Sequence, residues 1–187
     1  MVTAQERVVL LNDDGTPRGV AQKAEVHHDR TPLHLAFSCH VLDEHGRVLI
    51  TRRALGKRTW PGTWTNAFCG HPQPFEPIPD AVRRRAREEL GLELADIRLE
   101  LPDFRYRAVD ASGTVENEVC PVYTARALGD PVLVAAEAME LRWVDPRDLA
   151  IALTAAPWAF SPWLVSQAAE LSRADGEIRA AAWQRAA

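Results

Sequence analysis

The sequence predicts one domain of mixed α/β architecture, strands and helices layered around a single core. Three observations predict it. At 187 residues, 47% of them hydrophobic and 26% charged, the chain is long enough to bury a sizeable core and short enough to do so as one unit. Most apolar segments are β-rich or alternate with period two, as half-buried strands do. One central segment, 79–91, instead repeats its apolar residues every four positions, the rhythm of a helix.

Residues 6–11, ERVVLL, read as a short strand, and the NDDG that follows reads as a turn. The run LHLAFSCHVLDEHGRVLITRRA, 33–54, holds two β-rich stretches split by DEHGR, a hairpin signal with Gly46 where positive φ is needed. GKRTWPGTW, 56–64, is a loop. From Pro79, Val82, Ala86 and Leu90 form one helical stripe of about three turns, with Asp80 expected to cap its start and Gly91 to stop it. FRYRAV and VENEVCPVYTARA are strands joined by the turn DASG, and LRWVDP is a further brief strand. RDLAIAL begins a helix, and FSPWLVSQAAELSRADGEIRAAAWQ is mostly helical, with Pro162 near its start where a missing N–H is tolerated. The expected domain spans 1–187, with a core of about 6–170 and a helical tail over 171–187 whose Ala-rich last ten residues fray.

The formal charge of −4, from 22 Lys+Arg against 26 Asp+Glu, supplies no global basic field for a nucleic-acid backbone, so an anion must be held locally. Cys39, Cys69 and Cys120 form no CxxC pair, which argues against a disulfide framework or a zinc knuckle and for a reducing cytoplasm. No apolar run approaches the ~20 residues of a membrane helix, and MVTAQERVVLL lacks the basic and apolar regions of a leader. A cytoplasmic protein without membrane attachment is expected.

The chemistry concentrates in TNAFCGHP, 65–72. If this stretch is extended, Cys69 and His71 face the same side, and so do Glu116 and Glu118 in VENEVCP. Two more histidines, His27 and His34, flank the loop HHDRTPLH. Three imidazoles and two carboxylates make a mixed N/O set suited to a divalent ion such as zinc, manganese or iron, and the chosen five are His27, His34, His71, Glu116 and Glu118. His28 has no spacing that favours it. His40 and His45 read as structural or surface residues, and Cys39 and Cys120 as small buried hydrophobes.

The run GHPQPFEPIPDAVRRRAREELG carries Gly70, Glu76 after five residues, Arg84 after seven more, then Glu88, Glu89 and Gly91. This resembles the Nudix box, whose glutamates hold magnesium against a diphosphate. Where that box has a glutamate after its first arginine, this chain has Arg85, a cation that grips phosphate in planar fork geometry. Arg83 and Arg87 read as a solvated helix face. Together with LHLAFS, TRRALGKRTWPGTW, TNAFCGHP, PDFRYRA, VENEVCPV and PWAFSPW, in this order from about Val8 to Ala168, the chain resembles the type 1 isopentenyl-diphosphate isomerases, a Nudix branch.

That resemblance implies a Nudix α/β/α sandwich: a mixed sheet with the box helix on one side and the C-terminal helices on the other. It implies interconversion of isopentenyl and dimethylallyl diphosphate through a tertiary carbocation, without flavin, by a monomer whose partner is this small isoprenyl diphosphate. The family's metal site maps onto the same five residues, holding one manganese, zinc or magnesium ion. Its acid/base pair maps onto Cys69 and Glu118 on opposite faces of the allyl plane, with Tyr106 beside the carboxylate and the Trp163 indole over the developing cation. Its diphosphate holders map onto Lys23, Arg52, Lys57 and Arg85, with a magnesium ion bridged to Glu89. Arg53 and Arg58 receive no role, and Trp60, Trp64 and Trp158 are read first as core. Two other functions compete: a Nudix pyrophosphohydrolase, which leaves Cys69 and the five ligands idle, and a catalytically silent Nudix-like binding module, which has no use for the acid/base pair.

Overall fold

The structure, a computed structural model, describes residues 6–174; the expected helical tail beyond 174 lies outside the described residues. The chain opens with β1 (Arg7–Leu11), β2 (Pro17–Gln22) and the one-turn helix α1 (Lys23–Val26). Then come β3 (His34–Leu35), β4 (Phe37–Leu42), β5 (Val48–Arg53), β6 (Trp64–Asn66) and β7 (Phe68–Gly70). Helix α2 (Ile78–Leu90) is followed by β8 (Glu93–Leu101), β9 (Arg105–Val109), β10 (Val115–Val119), β11 (Val122–Leu128) and β12 (Ala138–Val144). Two helices, α3 (Pro146–Ala155) and α4 (Pro162–Ala174), close the described chain.

These strands form two sheets, where the sequence suggested one. The smaller has the order β2-β1-β3-β10-β9; the larger has the order β12-β5-β4-β11-β8, with β6 paired to β5 and β7 to β4. VENEVCPVYTARA, expected as one strand, changes sheets at Cys120–Pro121, because proline has no N–H to continue a ladder. Its parallel neighbour changes with it at Ala36: β3 pairs β10 in the small sheet, β4 pairs β11 in the large one. Ala36 N donates to Val119 O at 2.9 Å and Ser38 N to Pro121 O at 3.1 Å, so the two chains stay bonded through the crossing. Side chains of the small sheet are thereby brought over the β7 end of the large one.

Period-two alternation divides the large sheet's side chains between two layers. Phe37, Cys39, Val41, Leu49 and Tyr123 pack with Ala81, Val82, Ala86 and Leu90 of α2. Val48, Ile50 and Val122 pack with Leu149 and Leu153 of α3 and with Trp163 and Leu164 of α4. The α/β/α sandwich is therefore present, and each fully buried aliphatic side chain in it contributes about 1.5–3 kcal/mol. Asp80 does not cap α2: Pro77 is the cap, its carbonyl accepting from Asp80 N and Ala81 N, and Asp80 lies in the first turn, where its charge complements the helix dipole. Gly91 ends the helix as expected, at φ 59°, with its N–H on Arg87 O, the bond of an αL cap, and that of Leu92 on Ala86 O. Among the described residues no helix is long and apolar enough to cross a membrane.

Candidate active site

Strand register sets the centre. Glu118 of β10 lies directly opposite His34 of β3 on one side and Tyr106 of β9 on the other. Tyr106 Oη donates to Glu118 Oε2 at 3.0 Å, and His34 Nε2 lies 3.4 Å from Oε1. His71, one residue past β7, puts Nε2 3.3 Å from the same Oε1. His27, just after α1, completes the group: one ligand atom each from His27, His34, His71 and Glu118 lie within 4.8 Å of one another. Glu116, two residues before Glu118 and on the same face, has Oε2 3.3 Å from His27 Nε2, while its Oε1 accepts from Thr59 Oγ1 at 2.7 Å. All five predicted ligands are thus drawn to one place.

The donor set fits a cation. His34 Nδ1–H donates to Pro32 O at 2.9 Å, which turns Nε2 toward the group. His34 Nε2, His71 Nδ1 and Glu116 Oε2 are buried without a hydrogen-bond partner. Each such orphan costs about 1–3 kcal/mol, so several in one cluster mark a place built to hold something. Burial pushes His71 down to about 3, keeping it a neutral ligand. For Glu118 burial works upward, but its interactions with the His34 and His71 imidazoles outweigh it and hold the carboxyl well below its usual range. Burial raises Tyr106.

Cys69 is partly exposed, and burial around its sulfur pushes the thiol up to about 12. Its Sγ lies 3.2 Å from Ser38 Oγ and 3.4 Å from Asn66 Oδ1. Asn66 Oδ1 also accepts from Trp163 Nε1 at 3.0 Å, so one amide ties thiol to indole. Trp163 lies 5.7 Å from the Tyr106 ring and 5.3 Å, edge-on, from Trp60, with the Arg53 guanidinium 5.4 Å over its ring. Trp60 is held at φ 44°, a left-handed conformation uncommon for an aromatic residue. It also borders an open groove of about 440 Å³ with Ala108, Val109 and Phe160, whose lining includes neither Cys69 nor Glu118. Trp64 is partly buried against the α3–α4 layer, whereas Trp158, read first as core, is 85% exposed.

A second cluster surrounds Arg85. Its guanidinium reaches Glu89 at 2.5 Å, Glu88 at 3.0 Å, and Glu6 and Glu137 at 3.6 Å each. Lys23 pairs with Glu6 at 2.9 Å, and Lys57 pairs with Glu137. Three of the four predicted cations and Glu89 thus share one network. Arg52 is held apart from it, by Gly62 O and Glu140 Oε1, both at 2.9 Å. Arg58 Nη1 donates to Ala24 O. Arg84 clamps Glu76 at 2.8 and 2.9 Å and donates to His71 O at 3.2 Å, fastening the loop that carries His71 to the helix. Gly70 lets helix and strand approach: a Cβ there would sit 2.8 Å from Arg85 Cγ and 2.9 Å from Phe37 Cζ. Arg83 and Arg87 carry the expected surface pairs, with Asp80 and Glu93.

Four residues that sequence reasoning passed over belong here: Glu6, Glu137, Thr59 and Asn66. Asn66 had a signal, its place in TNAFCGHP. The other three are brought in only by folding.

Residues 32–164 match the family model of the NUDIX domain. The chain is 59% identical over 181 residues to an isopentenyl-diphosphate Delta-isomerase of Agromyces mediolanus, across 95% of this chain and 88% of that protein. It is 58% identical over 165 residues to one of Kocuria rhizophila, across 88% and 92%. The chain belongs to the isopentenyl-diphosphate Delta-isomerase branch of the NUDIX family. This NUDIX fold is also seen in a crystal structure from Deinococcus radiodurans, at TM-score 0.67 and 22% identity over 90% of this chain and 98% of that one. A MutT protein of Methanosarcina mazei shares it at TM-score 0.60 and 19% identity, over 78% and 97%. Within the NUDIX box itself, the residue after Arg84 is a cation bonded to Glu89, so the box helix presents an ion pair where two carboxylates are usual.

Proposed function

We infer that this protein interconverts isopentenyl diphosphate and dimethylallyl diphosphate, by delivering a proton to one end of the allyl unit and removing another from the opposite end. The observation that carries the reading is the gathering of His27, His34, His71 and Glu118 within 4.8 Å, with Cys69 two residues before His71 in the chain. A hydrolase needs the carboxylates of the box helix free for a metal, and here Arg85 is ion-paired with both Glu88 and Glu89.

Cys69 and Glu118 form the acid/base pair. At neutral pH the high thiol keeps its proton while the low carboxyl is ionised, so the pair starts with one proton and one vacancy. Reversing the reaction exchanges their roles. Tyr106 holds Oε2 of Glu118 in place from the adjacent strand. The Trp163 face stabilises the tertiary cation between the two transfers and, unlike water, cannot add to it. His27, His34, His71, Glu116 and Glu118 would hold a divalent ion, whether manganese, zinc or magnesium, whose charge would set the proton affinity of Glu118. Lys23, Lys57, Arg85 and Arg52 would take the diphosphate, and Glu89 would hold a magnesium ion whose charge offsets that of the phosphates. The protein works as a cytoplasmic monomer on this small molecule alone.

The test is purified protein with magnesium and isopentenyl diphosphate in deuterated water. Dimethylallyl diphosphate carrying deuterium is the expected product. Release of phosphate would make the protein a hydrolase, and unchanged substrate that still binds would make it a binding module.

A further inference from the structure

Behind Cys69, in the layer between the large sheet and α4, a buried polar chain runs through otherwise apolar packing. His40, Ser38 and Gln167 are each no more than 1% exposed. His40 Nε2 lies 3.0 Å from Gln167 Oε1, Gln167 Nε2 lies 2.8 Å from Ser38 Oγ, and Ser38 Oγ lies 3.2 Å from Cys69 Sγ. Polar groups are costly in such a layer unless paired, and an apolar filling would serve stability as well. Their presence calls for a reason beyond packing.

The donors and acceptors give the chain a direction. Gln167 Oε1 can only accept, so His40 donates to it; Gln167 Nε2 then donates to Ser38, whose single hydroxyl proton is left for sulfur. Two sulfurs are in reach, Cys69 at 3.2 Å and Cys120 at 3.5 Å. The register of β4 and β7 sets Ser38 directly opposite Cys69, which favours the closer one. From the other side, Asn66 Nδ2 is committed to Cys39 O and Phe68 O, so Oδ1 faces the same sulfur as an acceptor. Cys69 is therefore held between a donor and an acceptor, and its side chain has a bonded partner before and after it passes on a proton.

We propose that Ser38, anchored through Gln167 to His40, is a positioning residue for the reaction, fixing the orientation of the Cys69 side chain toward the substrate. This rests on the isomerase reading. A thiol free to rotate would spend most of its time off the line of transfer, and misplacement by about 1 Å costs on the order of 100-fold in rate. Substrate binding, made mostly by the cationic cluster around Arg85, is left alone.

The experiment compares wild type, Ser38→Ala, Gln167→Met, the double variant and Cys120→Ala, each scored for kcat, KM and melting temperature with isopentenyl diphosphate. Ser38→Ala is expected to lower kcat by about 10- to 100-fold with KM within about twofold. Gln167→Met should lose a similar factor, and the double variant no more than the larger single loss, because both cut one chain. Cys120→Ala should keep wild-type kcat. Wild-type kcat in Ser38→Ala, multiplying losses in the double variant, or a loss in Cys120→Ala equal to that in Ser38→Ala would each overturn the proposal. So would kcat losses that merely follow the melting temperature. If wild type itself makes no dimethylallyl diphosphate, the isomerase reading fails and takes this one with it; active wild type with unaffected variants sinks the positioning role alone.

Discussion

Around Glu118 the ligand atoms are set by backbone pairing, whereas around Arg85 they are set by charge. Glu118, His34 and Tyr106 are cross-strand partners, so their separation follows from the spacing of the ladder, and the buried orphans at His34, His71 and Glu116 remain when the sheet is complete. In the second cluster, long flexible side chains have already found one another. Four carboxylates, Glu6, Glu88, Glu89 and Glu137, face three cations, Lys23, Lys57 and Arg85. That half is self-neutralised, with a slight acidic excess. A diphosphate cannot simply add to it; carboxylates must give up partners or be bridged by a cation. On the proposed function, the first half is preformed for its ligand and the second would exchange partners when its ligand arrives.

The largest effect expected from the preformed half is on rate. Cys69→Ala removes the proposed proton carrier without disturbing the ladder, so kcat should fall by about 10²–10⁴-fold with the melting temperature unchanged. Deuterium incorporation measured at high enzyme concentration reads this out. Near-normal turnover would take Cys69 out of the mechanism.

In the charge-built half the largest effect is on stability. Arg85→Met leaves Glu89, only 9% exposed, without its closest partner, and removing one member of a buried pair costs about 3–5 kcal/mol. Urea unfolding should show that loss, while Arg85→Lys keeps the charge, loses the fork, and raises KM more than it lowers stability. Equal stability of the Met variant would mean that Lys57 and Lys23 suffice to hold the carboxylates, and that the partner exchange does not centre on Arg85.

Metal removal separates the halves further. An ion bound at 100 times its dissociation constant stabilises the fold by about 2.7 kcal/mol, so a chelator should lower the melting temperature. His71→Ala should bind less metal and lose most of that chelator response; an unchanged metal count would place the ion elsewhere.

The same division explains what the sequence disclosed. In the preformed half, Glu116 and Glu118 were legible because period-two alternation puts them on one face, and folding kept that relation, whereas His27 and His34 were legible only by residue type. Glu6 and Glu137 were not, since nothing local to ERVV or to the loop before β12 says that each will reach Arg85, some 80 and 50 positions away in sequence. Strand β8 was missed because its alternation is broken: Asp96 sits at φ 52° and the register with β11 shifts twice. β2 was missed because PRGVAQ is an edge strand with almost no buried face to leave a pattern. The sheet change at Cys120–Pro121 had a visible cause, the proline, but its consequence depended on Ala36 turning at the same level in another strand.

The smallest effect is expected at Trp163, beside the preformed half. Its ring carries the Arg53 guanidinium at 5.4 Å and its Nε1 is tied through Asn66 to Cys69, so it serves the preformed half while touching a cation. Trp163→Phe keeps a π-face and loses the Asn66 bond; Trp163→Leu fills similar space with no π-face. If the face stabilises the carbocation, kcat should be higher for Phe than for Leu by about 10- to 30-fold, the rate equivalent of about 2 kcal/mol of desolvated cation–π attraction. KM should barely separate the two, because the proposed diphosphate holders are other residues. Equal kcat in the two variants would show that Trp163 acts through its N–H on Asn66, and the indole would then belong with the residues that orient the thiol rather than with those that meet the cation.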